Sequence, residues 1–205
     1  LMALDHTREF SNDSGWAYNA LGPEAHPLIY VTRWITHLCA PTFVLLAGVS
    51  IRLQSLGGLS PIALSSRILK RGLWLVFLEL TLIGFVWSFS IPFLQFWQVI
   101  WAIGWSMVLM AGLVFAPPIV SLIVGGAIVT ASSVLSAIPP DAFGPLALLW
   151  QILHRIPAFL PAPPDTQVFV VYPILPWFGL MALGYGMGAL FRSERRDRNL
   201  VALGL

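Results

Sequence analysis

Residues 70–89 read Lys-Arg-Gly-Leu-Trp-Leu-Val-Phe-Leu-Glu-Leu-Thr-Leu-Ile-Gly-Phe-Val-Trp-Ser-Phe. Two cations are followed by eighteen residues that hold one charge, Glu79, and a helix needs about 20 mostly apolar residues to cross hydrocarbon. Similar runs stand at 34–51, 96–115, 119–137 and 170–191, and residues 1–4 look like the outer tip of a truncated span. The expected fold is therefore all-α, a polytopic transmembrane helical bundle of about five complete spans within a single domain, 1–205. Composition agrees: 58% of the residues are hydrophobic, 10% are charged, and the mean hydropathy is +0.82, whereas a soluble domain carries about a quarter charged residues. A soluble enzyme, a nucleic-acid binder and a secreted disulfide scaffold are all disfavoured. The single cysteine, Cys39, has no internal partner for a disulfide.

Basic residues orient the spans, because short loops rich in Lys and Arg stay cytoplasmic. Arg52, Arg67, Lys70 and Arg71 mark one loop, and Arg192, Arg195, Arg196 and Arg198 mark the tail. Four crossings separate the two clusters, an even number, so both fall on the same face. Residues 5–33, 91–95 and 139–168 are then non-cytoplasmic. The last of these segments is proline-rich. Its apolar stretch Leu146 to Ile156 reads as a loop on the membrane surface with Trp150 among headgroups, an interfacial helix being the alternative. Gly184 and Gly188, with Gly186 between them, permit close helix contact in the last span. The opening Leu-Met-Ala-Leu has neither an initiator methionine at position 1 nor a signal-peptide pattern, and a new apolar stretch begins at 199–205, so a fragment of a longer parent is expected.

Ionisable groups at or inside the hydrocarbon edge are costly unless they face protein or water, so each is a candidate site residue. Asp5 and His6, followed by Thr7, Arg8 and Glu9, stand where the first span meets the outer surface. A carboxylate beside an imidazole fixes its tautomer and stabilises its charge, as proton abstraction from a hydroxyl or amine requires. Arg33 and His37 are four residues apart and share a helix face. A snorkelling arginine and a structural histidine explain them equally well. Glu79 lies about 12 Å inside the start of its helix, either as a hydrogen-bonding anchor or as a group lining a polar cavity. Trp97, Trp101 and Trp105 form a stripe with Gln98 one residue off it. Core packing or an interfacial belt is its first explanation, and a stacking surface for a ligand ring is the second. The chain holds no glycine-rich phosphate loop, nucleophile elbow, HExxH or Cys/His metal spacing, so metal and hydrolase chemistry are unsupported.

Several strings occur in order: Leu4-Asp5-His6-Thr7-Arg8, Thr32-Arg33-Trp34-Ile35-Thr36-His37, Pro41-Thr42-Phe43, Lys70-Arg71-Gly72-Leu73-Trp74 through Glu79-Leu80, Gln98-Val99-Ile100-Trp101-Ala102, and Tyr172-Pro173 through Pro176-Trp177. Together they resemble the bacterial membrane proteins grouped with the catalytic domain of heparan-α-glucosaminide N-acetyltransferase. The resemblance implies transfer of an acetyl or other acyl group from cytoplasmic acetyl-CoA or another acyl-CoA, a co-substrate rather than a tightly bound cofactor, to a sugar amine or hydroxyl outside. It implies a central histidine, best matched by His6 with Asp5 orienting it, and His26 as the weaker match. Arg8, His26, Arg33, His37, Glu79 and Gln98 are the expected substrate-binding residues. Relatives often carry Gly-His-Asn near the end of the 119–137 span, where this chain has Ala131-Ser132-Ser133. Expected partners are the lipid bilayer and a sugar or glycan acceptor, with a homodimer left open and no nucleic acid. The expected location is the bacterial cytoplasmic membrane. A transporter or flippase coupled through Glu79 and an inactive scaffold are the rival readings.

Overall fold

The computed structural model describes Ala3, Thr7 and residues 26–89, 95–154, 158–160 and 168–192. Its contacts divide the chain into two compact units, 1–43 and 44–205. The first unit holds helix α1 (Pro27–His37), which begins where the His26 side chain accepts the N–H of Leu28 at 3.3 Å and Pro27 sets the first turn. Helix α2 (Cys39–Leu56) follows after Leu38 and carries the chain into the second unit.

In the second unit, Gly58 at φ +97° turns the chain. Ser60 then caps helix α3 (Pro61–Leu78), its hydroxyl accepting the N–H of Ala63. A π-helical turn (Glu79–Ile83) and a short α4 (Gly84–Ser88) continue α3 and end at Phe89 in the left-handed region. Strand β1 (Gln95–Trp97) leads into α5 (Val99–Leu113), and Pro117-Pro118 opens α6 (Pro118–Leu135). A 3-10 turn (Pro140–Leu146), α7 (Ala147–His154), β2 (Ala158–Leu160), β3 (Val168–Val170), α8 (Ile174–Met187) and a closing 3-10 turn (Gly188–Arg192) complete the order. The strands form a small sheet in the order β1-β3-β2, with β1 parallel and β2 antiparallel to β3.

The all-α expectation holds for the bundle, and among the described residues three stretches are long and apolar enough to cross a membrane: Pro27–Leu56, Pro118–Leu135 and Ile174–Arg192. By that measure three of the five expected spans qualify. Helix α5 has only 15 residues, about 22 Å of rise against a hydrocarbon core of about 30 Å, because 95–97 pairs as a strand instead of starting the helix. Helix α3 reaches back to Pro61 and takes Arg67, Lys70 and Arg71 into its length. The 146–156 stretch also differs from the surface-loop reading: residues 147–154 are helical, and Trp150 stacks on Phe143 with centroids 4.2 Å apart.

Apolar side chains gain little by leaving lipid for a neighbouring helix, so close backbone approach at small residues has to hold such a bundle. A Cβ on Gly48 would lie 2.0 Å from the Met181 carbonyl oxygen, and one on Gly184 equally close to that of Leu45. Helices α2 and α8 therefore touch backbone to backbone, and the approach of Gly188 to Arg52, one turn further along both, shows that they run in the same direction. Gly186 meets Leu122 and Gly125 meets Gly179, which seats α6 against α8 in the opposite direction. The α3–α5 pair is antiparallel along a seam of Ser65, Gly72 and Glu79, spaced seven residues apart. The Ser65 hydroxyl donates to the Ala111 carbonyl at 2.7 Å, Gly72 abuts Gly104, and Glu79 reaches Gln98. Between the pairs lies a core that includes Val44, Ile51, Leu64, Ile68, Met110, Met181 and Tyr185.

One end of this bundle is basic. The Arg192 guanidinium donates to the Leu56 carbonyl, Arg52 lies 5.6 Å from the Tyr185 ring centroid, and Arg67 donates to the Gln54 side chain at 3.3 Å. Arg192 of the tail cluster thus shares an end with Arg52 and Arg67, the arrangement an even number of crossings gives. Gly184→Leu, which forces a branched side chain into the Leu45 backbone, should cost at least about 3 kcal/mol in thermal unfolding of the detergent-solubilised protein. Gly112→Ala has nothing within 4 Å and should be neutral or stabilising by up to about 1 kcal/mol. A Gly184→Leu protein that melts with wild type would contradict the close approach.

Candidate functional site

The end of α3 sets the site. At Glu79 the helix widens into the π turn, which adds a residue to the register and re-aims the side chains beyond Leu78. Glu79 is only 1% exposed. Its Oε1 accepts the backbone N–H of Gln98 at 2.6 Å. Gln98 precedes the first turn of α5, so the carboxylate takes up one of the donors a helix start leaves over and sits at the favourable end of the helix dipole. Of the two expectations for Glu79, the anchor is realised. Its Oε2 nevertheless has no hydrogen-bond partner among the described residues, nor does the Gln98 side-chain Nε2.

The tryptophan stripe packs along the same helix. Trp97 and Trp101 stack with centroids 4.1 Å apart at 24°, and Trp101 meets Trp105 edge-on at 5.7 Å. Trp101 lies in a buried cluster with Val76, Ala102 and Ile174, against which Leu80, Tyr172 and Trp177 pack. Packing therefore accounts for the faces of Trp101 and Trp105 but not for their edges, since their buried Nε1–H groups have no hydrogen-bond partner among the described residues. Gln98, Trp101 and Trp105 stand at helical spacing on one face of α5. Their three donors and the free carboxylate oxygen of Glu79 match the mixed donors and acceptors of a hydroxylated ring.

A second group was not foreseen. His154, at the end of α7, is 2% exposed, its Nε2 lies 3.1 Å from the Ser132 carbonyl, and its ring centroid lies 5.0 Å from that of Trp150. The sequence signal for it was the helical spacing of Trp150 and His154 inside an apolar stretch, masked by the prolines on either side. Ile152 and Leu153 of α7 pack on the Trp101 cluster, which brings the helix to the aromatic end of the bundle.

The expected residues near the start of the chain are placed unevenly. Asp5, His6 and Arg8 lie outside the described residues. His26 caps α1 and is exposed, Arg33 is half-buried beside buried Thr36, and His37 is exposed. These three belong to the first unit, whereas Glu79 and Gln98 belong to the second. Nearer the basic end of the second unit, an open cleft of about 310 Å³ is lined by Ala47, Ser50, Gln54, Ile68, Arg71, Trp74 and Met107, among others. It combines an apolar wall with a guanidinium.

Replacing Glu79 by Leu leaves the Gln98 N–H without its acceptor and should cost about 1–3 kcal/mol. Glu79→Gln keeps an oxygen there and should cost less than about 1 kcal/mol. Thermal unfolding of the two variants side by side checks this, and equal losses would show that the hydrogen bond contributes nothing.

Neither a curated relative nor a solved structure matches the chain. The family described as heparan-alpha-glucosaminide N-acetyltransferase, catalytic, matches residues 16–203. That range takes in α1, the whole bundle, the aromatic cluster and α7. The chain, with its helices of membrane-crossing length, belongs to the family of the heparan-alpha-glucosaminide N-acetyltransferase catalytic domain.

Proposed function

We propose that the protein transfers an acetyl or other acyl group from acyl-CoA to a sugar amine or hydroxyl on the non-cytoplasmic side of a membrane, in bacteria the cytoplasmic membrane. The observation that carries this reading is the bundle's division into two chemically different ends. One has a cleft with an arginine and an apolar wall, suited to an anionic co-substrate with a long arm. The other has tryptophans, buried donors and a carboxylate, suited to a hydroxylated ring. The alternating helix directions and the shared basic end support five crossings with Arg52, Arg71 and Arg192 toward the cytoplasm.

In this reading His6 is the general base or a transient acyl carrier and Asp5 orients it. Arg8, His26, Arg33 and His37 contribute to acceptor binding, while Glu79 and Gln98 bind acceptor hydroxyls. The donor lies with its arm in the cleft and its phosphates toward Arg71. A second reading, transport of a sugar- or lipid-linked substrate coupled through Glu79, draws on the π-helical break at that residue. It requires a substrate flux that vanishes in Glu79→Gln without consumption of acyl-CoA.

Full-length protein in proteoliposomes, supplied with acetyl-CoA and amino sugars, should consume acetyl-CoA, and His6→Ala should lower kcat by about 10²-fold or more. Unchanged turnover would remove His6 from the mechanism. Arg71→Ala should weaken acetyl-CoA binding about 5- to 10-fold, the loss of one charge-assisted contact, as measured by calorimetry. An unchanged Kd would place the donor elsewhere.

A further inference from the structure

Helix α7 carries two ring side chains four residues apart, Trp150 and His154, on one face and in contact. A carbonyl only accepts, so the 3.1 Å approach of His154 Nε2 to the Ser132 oxygen puts the ring hydrogen on Nε2 and leaves the lone pair on Nδ1. That Nδ1 is buried and has no hydrogen-bond partner among the described residues. The neighbouring Trp150 Nε1–H is in the same condition. A buried acceptor beside a buried donor is a pattern that packing leaves at a cost on both atoms. A hydroxyl or amine, which both donates and accepts, is the chemical group that would supply a partner to each of these atoms. Phe143, stacked on Trp150, extends the aromatic surface.

Resting on the acyltransferase reading, we propose that Trp150 and His154 form the acceptor subsite, holding a hydroxyl or amine of a sugar ring with His154 as its base. The acceptor O–H or N–H bond breaks and its proton passes to Nδ1. The freed electron pair attacks the acyl carbonyl carbon. The acyl–sulfur bond breaks, and the departing CoA thiolate takes the proton back from the imidazole, so that charge and atoms balance. Ser132 does for this ring what a carboxylate does in a histidine–aspartate pair: its carbonyl holds the tautomer and the ring plane. The carbonyl is itself fixed at the end of α6, where it accepts the N–H of Ser136 at 3.0 Å and the Ser136 hydroxyl at 2.7 Å. His154 thereby takes over from His6 the role of base toward the acceptor, and His6 keeps that of transient acyl carrier where the acyl group first rests on a histidine.

Full-length protein in proteoliposomes tests this with acetyl-CoA as donor, and glucosamine and glucose as the amine and hydroxyl probes. In His154→Gln the amide can still donate to Ser132 but supplies no basic nitrogen. Its kcat should fall about 10²-fold, while the acetyl-CoA Kd stays within about 2-fold of wild type. Trp150→Phe keeps the stacking surface and loses the N–H. It should raise the acceptor KM about 5- to 10-fold with little change in kcat. Kinetic constants within 2-fold of wild type in both variants would overturn the subsite. So would a loss of turnover in His154→Gln that follows an equal loss of acetyl-CoA binding, which marks a structural role. Wild type that consumes no acetyl-CoA overturns the acyltransferase reading itself, and the subsite with it.

Discussion

Everything in the bundle hangs on backbone-to-backbone contact between helices that lipid does nothing to push together. At Gly48 and Gly184 two helix axes approach until a carbonyl occupies the space a methyl group would fill, and at Gly72 and Gly104 a second pair does the same. Such contacts gain dispersion energy along the whole interface because no side chain holds the helices apart. They also leave the large residues free to face outward, as Ile119 and Ile123 do on α6. The glycines therefore decide which helices are neighbours, and the neighbours decide where every polar group lies.

The seam between α3 and α5 shows how this constraint produces a site. Ser65, Gly72 and Glu79 recur every seven residues, and each finds something different across the interface: a carbonyl, a glycine and the N–H before a helix. At the last of these the helix has shifted to the π form, and the carboxylate takes up a donor that would otherwise be orphaned. The tryptophans follow on the partner helix, packed by their faces, and the Nε1–H groups of Trp101 and Trp105 have no hydrogen-bond partner among the described residues. Burial of polar atoms without partners costs stability wherever it occurs, and among the described residues six of the eight such atoms belong to Glu79, Gln98, Trp101, Trp105, Trp150 and His154, the other two to Arg52 and Ser121.

How much of this was legible beforehand differs from residue to residue. The run at 70–89 announced a helix in lipid, the arginines paired the ends of the second and last crossings, and the Gly184-Gly188 spacing announced a tight contact. Glu79 was recognised as costly, yet its partner is a backbone N–H nineteen residues on, which no spacing rule connects to it. His154 escaped because prolines on either side of α7 suggested an irregular loop, and the ring's importance lies in a carbonyl twenty-two residues earlier. The span expected from Phe96 takes two residues of the strand at 95–97 into the helix, since the pairing of that strand with 168–170 is a distant relation between short apolar strings.

The chain by itself determined the solvent it lives in, the places of its apolar stretches along the sequence, and the family to which its motif series belongs. Those follow from hydrophobicity, charge placement and local spacing, all of which act over one or two helical turns. Tertiary structure alone decided that Glu79 closes the start of α5, that Ser132 receives His154, and that the tryptophan edges and the basic cleft lie toward opposite ends of the bundle. Hydrogen bonds and close approaches between helices depend on register and rotation, and these are fixed only when the glycine contacts lock each helix against its neighbour.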